Sequence, residues 1–339
     1  MSGLFNNFKK KKEPEIINNA KKKEDKPFTK ENYKALISSL PMRTKTDLPS
    51  IKNIMKSKTK DLSEKDKAYV VYKYECDNID YDTESYLEGR NVDCSPEGVF
   101  RNGKAVCSGY AGLYKEFASH LGLNALCVKC YAKGFGYQPG KKLTKTNHEY
   151  NLVKIDSNWY AIDATWGAGY IKGKSYVKEF NEFYFLTNPE FLIKSHFPEE
   201  EKWQLTKKRY TLADFERWPL VYDNFYKNGF TKFLPEEGVF ELKDSNIQKF
   251  YVWGDCIKKK VISWQVFFLK DNNYVSQPSL SLIIPLENKI EINCIFNKKG
   301  TYLIRIFGSN NGENNYNGIA EYKVNVENDT KKELKFPHA

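Results

Sequence analysis

The feature that most constrains the fold is a change of hydrophobic period near residue 122. Over "CSGYAGLYKEFASHLGL" apolar residues recur at helical spacing: Cys107, Tyr110 and Ala111, Tyr114, Phe117 and Ala118, Leu121. Gly122 stops the pattern. The chain then becomes strand-like: "ALCVKCYAKGFGY" ends in a Gly-rich turn, and "HEYNLVKI" and "NWYAIDATW" flank Asp156-Ser157 as a hairpin. A helix followed by an antiparallel sheet it can pack on defines an α+β domain. Upstream, "KENYKALISSLP" predicts a short helix and "DLSEKDKAYVVYKYECDNIDYD" a longer one, opened by Ser63 with Asp66 in a capping box. "EGRNVDCSPEGVFRNGKAV" reads as a loop leading to Cys107. From about residue 236, seven short segments from "GVFELK" to "IAEYKVNVEN" alternate with polar turns and predict a β-sandwich.

A chain of 339 residues suits two domains. The expected division is a basic tail at 1–30, an α+β domain at 31–212, a connector at 213–235, a sandwich at 236–330 and a tail at 331–339. The net charge of +11 invites a nucleic-acid reading, but residues 1–30 hold nine Lys against four acids, so +5 of it lies in a tail without apolar periodicity. No nucleic-acid motif accompanies that tail, and no nucleic-acid partner is expected. Seven cysteines, an odd number scattered over a long chain, predict free thiols in a reducing compartment. With no apolar leader at "MSGLFNNFKKKK" and no run of membrane-spanning length, the expectation is a soluble, cytoplasmic protein without a membrane span.

Cys107 opens a predicted helix, where unpaired N–H groups and the positive end of the dipole stabilise a thiolate. It is either a buried space-filler or a nucleophile. Of the four histidines, His120 lies thirteen positions along the same helix, about 20 Å away at ~1.5 Å per residue. His196 falls in an acidic and aromatic loop segment, "FLIKSHFPEEEKW", and is expected to be structural; His338 is next to the C-terminus. His148, opening a strand, is left as the candidate base. In a hairpin with a loop at residues 154–157, His148 and Asp163 stand directly opposite on one face; a turn at Ser157-Asn158 sets Asp163 against Leu152 instead. An Asp there fixes the imidazole tautomer, or else is a turn or cap residue before "ATWGAG". Cys127 and Cys130 form a lone C-x-x-C whose side chains point to opposite faces of a strand, and no EF-hand or dense acidic cluster occurs, so no metal and no cofactor is expected.

Three blocks carry a resemblance. "GKAVCSGYAGLYKEFASHLGL", "NHEYNLVKIDSNWYAIDATWGAG" and "FNEFYFLTNPEFLIKSHFPEEEKWQL" are similar to the transglutaminase-like superfamily, and within it to the kyphoscoliosis peptidase and hillarin branch. They match its V-C-x-G-Y motif, its H-x-x-N…W-x-x-x-D segment with the following W-G-A-G, and its N-x-F-Y-F-L-T-x-P and H-F-P-x-x-x-x-W-Q-L tail, over roughly residues 60 to 210. The closing strands resemble the branch's immunoglobulin-like module. The resemblance implies a papain-like transglutaminase core followed by an Ig-like sandwich, with Cys107 as nucleophile, His148 as general base and acid, and Asp163 as orienter. It also implies acyl transfer on protein amides through a thioester, completed by water in a peptidase or deamidase or by a Lys amine in a cross-linking enzyme. Relatives carry a Trp where Tyr74 stands, and H-A-W-N where this chain has His148-Glu149-Tyr150-Asn151. Tyr74, Ser108 and Trp166 are therefore candidates for shaping the site or its oxyanion pocket. The partners implied are protein substrates and cytoskeletal proteins, the latter also bound by an inactive scaffold of the same fold.

Overall fold

The structure is a computed structural model that describes residues 29–243, 245–271, 273–277, 280–310 and 316–329. Most of the basic tail, the C-terminal tail and His338 lie outside the described residues. Helices α1 (Lys30–Ser38), α2 (Leu48–Thr59) and α3 (Glu64–Asn78) come first, and the Ser63 hydroxyl caps α3 by accepting from the Asp66 amide. The stretch expected as a loop before Cys107 is largely ordered. Strand β1 (Asp80–Tyr81) and α4 (Thr83–Glu88) precede it, and within it lie α5 (Pro96–Asn102) and β2 (Lys104–Ala105). The signal for α5 was Ser95, whose side chain accepts from the Gly98 amide, with Pro96 at the first helical position.

Helix α6 (Cys107–His120) follows, then β3 (Asn124–Ala132), β4 (His148–Ile155) and β5 (Asn158–Ile162). Next come α7 (Ala164–Ala168), the hairpin β6 (Gly169–Lys172) and β7 (Ser175–Lys178), β8 (Phe185–Thr187), α8 (Pro189–Leu192) and β9 (His196–Pro198). The main sheet is antiparallel in the order β8-β5-β4-β3-β9. Helix α6 is the buried centre of this domain. Tyr110, Leu113, Tyr114, Phe117 and Ala118 face α3 and the sheet, matching the periodicity of the sequence. Its body is fixed to the sheet by Asn151, whose Nδ2 donates to the Ala111 and Leu126 carbonyls at 2.9 and 3.2 Å.

The segment expected to connect the domains is itself folded. It forms α9 (Leu212–Arg217), β10 (Leu220–Val221), α10 (Asp223–Lys227) and β11 (Phe230–Leu234). The sandwich continues with β12 (Val239–Leu242), β13 (Ile247–Gly254), β14 (Lys260–Lys270), β15 (Asn273–Gln277), β16 (Leu280–Pro285), β17 (Ile290–Ile295), β18 (Gly300–Asn310) and β19 (Asn317–Val326). One sheet runs β10-β19-β18-β14-β15, with β12 parallel to β19; the other runs β11-β13-β17-β16. Phe250, Val252, Ile292 and Cys294 of the second sheet share a core with Ile304, Ile306, Tyr322 and Val324 of the first. Cys256 and Cys294 are free thiols, as are all seven cysteines.

The two domains are packed together around Lys133. Its Nζ is buried, donates to the Trp218 carbonyl at 2.8 Å and the Pro219 carbonyl at 3.3 Å, and lies 4.5 Å from the Phe215 ring centroid. Lys133→Ala leaves a cavity and two buried carbonyls without their donor. We expect it to lower the unfolding free energy by about 3 kcal/mol, read by chemical denaturation, with no change in Cys107 reactivity.

Candidate active site

Cys107 is the first residue of α6, preceded by Val106, which has no polar side chain to cap the helix. The Gly109 and Tyr110 amides donate to the Val106 carbonyl at 3.0 and 3.2 Å, which leaves the Cys107 and Ser108 amides without an intrahelical partner beside the sulfur. Cys107 is partly exposed, and its thiol is influenced by the His148 ring and by the Glu149 backbone amide. Burial pushes this thiol up, but the hydrogen bond and positive charge of His148 and the Glu149 N–H outweigh burial, so Cys107 lies below its ordinary range. His148 is the reciprocal case. Burial disfavours its charged form, yet the carboxylate of Asp163 and the Cys107 sulfur raise it to about 10. Each of the two groups thus favours the charged form of the other.

His148 Nε2 donates to Asp163 Oδ2 at 2.7 Å, which leaves Nδ1 to face Cys107. The route by which the hairpin brings His148 and Asp163 together corrects the expected register. Strands β4 and β5 pair Ile155 with Asn158 and Asn151 with Ile162, across a two-residue turn at Asp156 and Ser157 with φ of 46° and 72°. Neither the longer loop nor the turn at Ser157-Asn158 forms. On this register Asp163 follows the last β5 residue and falls diagonal to His148, within reach of an imidazole. Asp163 is also a helix cap, as the alternative expectation had it: Oδ1 accepts from the Trp166 amide at 2.9 Å. It is fully buried, and although burial opposes ionisation, the His148 charge and the two histidine hydrogen bonds hold it well below the usual carboxylate range.

The second of those histidines is His196, which does more than fill space in a loop. It begins β9, its Nε2 donates to the same Asp163 Oδ2 at 3.0 Å, and it is 1% exposed. The pairings Cys130↔His148 and Ala132↔His196 explain how it arrives. Two small residues of β3 separate the imidazoles, so both rings lean over that strand, with centroids 5.2 Å apart. The available signal was its setting. A His between "FLIKS" and "FP" is buried, and a buried imidazole requires a partner.

The remaining expected residues divide. Trp166 is at the site, its ring 5.6 Å from His148 and 4.3 Å from His196. Ser108 adjoins the nucleophile but turns its hydroxyl to Cys94 Sγ at 3.3 Å. Tyr74 does not reach the site. Its hydroxyl donates to the Pro41 carbonyl at 3.0 Å and its ring packs edge-on against Phe117, because it lies on the side of α3 turned away from α7. The α3 residues that face α7 are Tyr72, whose hydroxyl donates to Asn181 O at 2.5 Å, and Cys76, whose Sγ lies 3.5 Å from Ala164 O. Tyr81, not singled out from sequence, pairs with Ala105 two residues before the nucleophile, and its phenol feels the Cys107 charge.

Among the described residues, His148, Asp163 and His196 also form the one cluster of metal-ligand type, with donor atoms within 4.8 Å of one another. Both Nε2 atoms point at a single carboxylate oxygen at hydrogen-bond distance, so protons already satisfy the cluster. We assign it as a hydrogen-bonded group. Also among the described residues, no helix is long and apolar enough to cross a membrane.

A Cys at a helix N-terminus, a His on a strand and an Asp just past the end of the neighbouring strand, followed by an Ig-like sandwich, make up a core of the transglutaminase-like superfamily with an Ig-like module behind it. The profile of that superfamily matches residues 51–164, and that of the KY-like, immunoglobulin-like domain matches residues 212–337. Within the superfamily the chain is similar to kyphoscoliosis peptidase and hillarin. It is 27% identical to kyphoscoliosis peptidase of Mus musculus, covering 88% of this chain and 45% of that protein, and 29% identical to the Homo sapiens protein, covering 74% and 36%. It is 32% identical to hillarin of Drosophila melanogaster over 40% of this chain and 18% of that protein. The chain thus spans less than half the length of these curated relatives.

Proposed function

We propose that the protein is a cysteine acyl-transfer enzyme acting on protein amides, with Cys107 as nucleophile, His148 as general base and acid, and Asp163 as orienter. The observation that supports this reading most is the 2.7 Å hydrogen bond from His148 Nε2 to the buried Asp163 carboxylate, on a ring that lies beside Cys107 and favours its thiolate. The thiolate attacks the amide carbon, and the tetrahedral oxyanion is received by the Cys107 and Ser108 amides that open α6. Imidazolium protonates the departing amine and leaves a thioester; neutral His148 then takes a proton from the incoming water or amine. Trp166 covers the His148 ring and limits water there. The names of the relatives favour hydrolysis, since two of them are called peptidases. The substrate class we propose is protein, in the cytoplasm and in contact with the cytoskeleton.

Incubation with an activated acyl ester followed by intact-mass and peptide mapping tests this. A transient acyl adduct on Cys107, absent from Cys107→Ala and resolved by water or by a supplied amine, is the expected result. Equal acylation of the exposed Cys127 and Cys256 with none on Cys107 would instead leave a binding scaffold with no turnover.

A further inference from the structure

We propose that His196 is a positioning residue for the acyl-transfer group, acting on His148 through Asp163, with Ser195 fixing its tautomer. This rests on the triad reading above. Asp163 receives three donors: the Trp166 amide on Oδ1, and both imidazole Nε2 atoms on Oδ2. For His196 to donate through Nε2, its neutral ring must carry the proton there and keep Nδ1 as an acceptor. The Ser195 hydroxyl lies 2.8 Å from that Nδ1 and 3.3 Å from the Leu192 carbonyl, and its single proton, directed along the shorter contact, supplies the donor. The ring is sealed, edge-on to His148 and Tyr150 and against Trp166, and burial holds it below the usual imidazole range. The two rings on one oxygen therefore differ in kind: His148 cycles between charged and neutral, while His196 stays neutral and always donates.

A histidine needed only to fill the space between Trp166 and Tyr184 could satisfy its N–H on any carbonyl. His196 spends it on the oxygen that holds the base. Two consequences follow. Oδ2 is pinned in place while the His148 proton comes and goes, and part of the carboxylate charge is taken up by a second donor, so Asp163 grips imidazolium less tightly and His148 can release its proton to the leaving amine. The other titratable groups around Asp163 and the rings do not compete. Glu75 and Tyr72 on α3, Cys130 on β3, Tyr150 on β4 and Tyr184 before β8 are all buried, and burial raises each of them and so favours its neutral form.

The test is the pH profile of Cys107 alkylation by iodoacetate, followed by peptide mapping, in the full chain and in His196→Phe, His196→Gln and Ser195→Ala. Phe keeps a ring and removes the donor; Gln returns a donor near the Nε2 position. In His196→Phe the upper inflection, which reports His148, should rise by about one pH unit, with roughly tenfold slower acyl transfer. His196→Gln should restore most of both, and Ser195→Ala should move the inflection the same way by less. A His196→Phe profile superimposed on wild type, whatever its thermal stability, would overturn the inference. So would an unmoved Ser195→Ala profile if the Phe variant does not fold. A wild-type profile lacking the low-pH thiolate plateau would refute the triad reading itself, and this inference with it.

Discussion

His148→Ala should abolish acyl transfer, with kcat/KM lowered by about a thousandfold or more and the fold retained. Three losses combine. The thiol loses the positive partner that outweighs its burial, so Cys107 rises out of the thiolate range. The leaving amine loses its proton donor, and the incoming nucleophile loses its base. The fall should reach the level of Cys107→Ala, because residues that act as a unit fail together. Stopped assays on an acyl ester, with circular dichroism as the folding control, measure this. Activity within tenfold of wild type would show that the ring takes no part.

Asp163→Asn is the second large effect, and it acts on stability as well as rate. Asp163 accepts from three N–H donors without offering one. An Asn side chain keeps one accepting oxygen and turns its NH2 toward a donor, either the Trp166 amide or the imidazole pair. We expect about 3 kcal/mol of destabilisation and roughly a thousandfold loss of kcat/KM as His148 loses its tautomer and its support. The pH dependence has a defined sign. Asp163 is depressed, so its contribution is present above the ordinary carboxylate value near ~4 and is lost as pH falls below that. His148 is raised to about 10, so its contribution is complete below its unfolded value and is lost as pH rises toward 10. The stability gap between wild type and Asp163→Asn should therefore be widest between about pH 4 and 6.5 and should narrow on either side. A gap independent of pH would mean that no ionised pair stands there.

The elements that build the site were legible because each is governed by local pattern. The stripe from Cys107 to Leu121 became α6, the break at Gly122 released the chain into β3, and "HEYNLVKI" is β4. The hairpin and its turn at Asp156-Ser157 were readable, but the register of His148 against Asp163 that follows from it was not. Asp156 and Ser157 both adopt positive φ, which side chains of this kind tolerate but do not announce as Asn-Gly does. Tyr74 was drawn toward the site by homology of position, but the rotation of α3, set by its packing against α6 and α7, sends Tyr72 and Cys76 inward instead. His196 was missed because its partner is 33 residues away and reached only by crossing β3, so no spacing rule connects them. The same holds for the segment before residue 236. Strand β11 joins a sheet with β13, a pairing of distant segments that composition does not reveal.

The most direct test of the central claim is the rate of Cys107 alkylation by iodoacetate between pH 4 and 11, in wild type and in His148→Ala. If sulfur, imidazole and carboxylate act as one group, the wild-type thiol stays reactive well below its ordinary range, with a second inflection near 10 that disappears in the variant. A single inflection near ~8.5, the ordinary cysteine value, in both proteins would contradict the account.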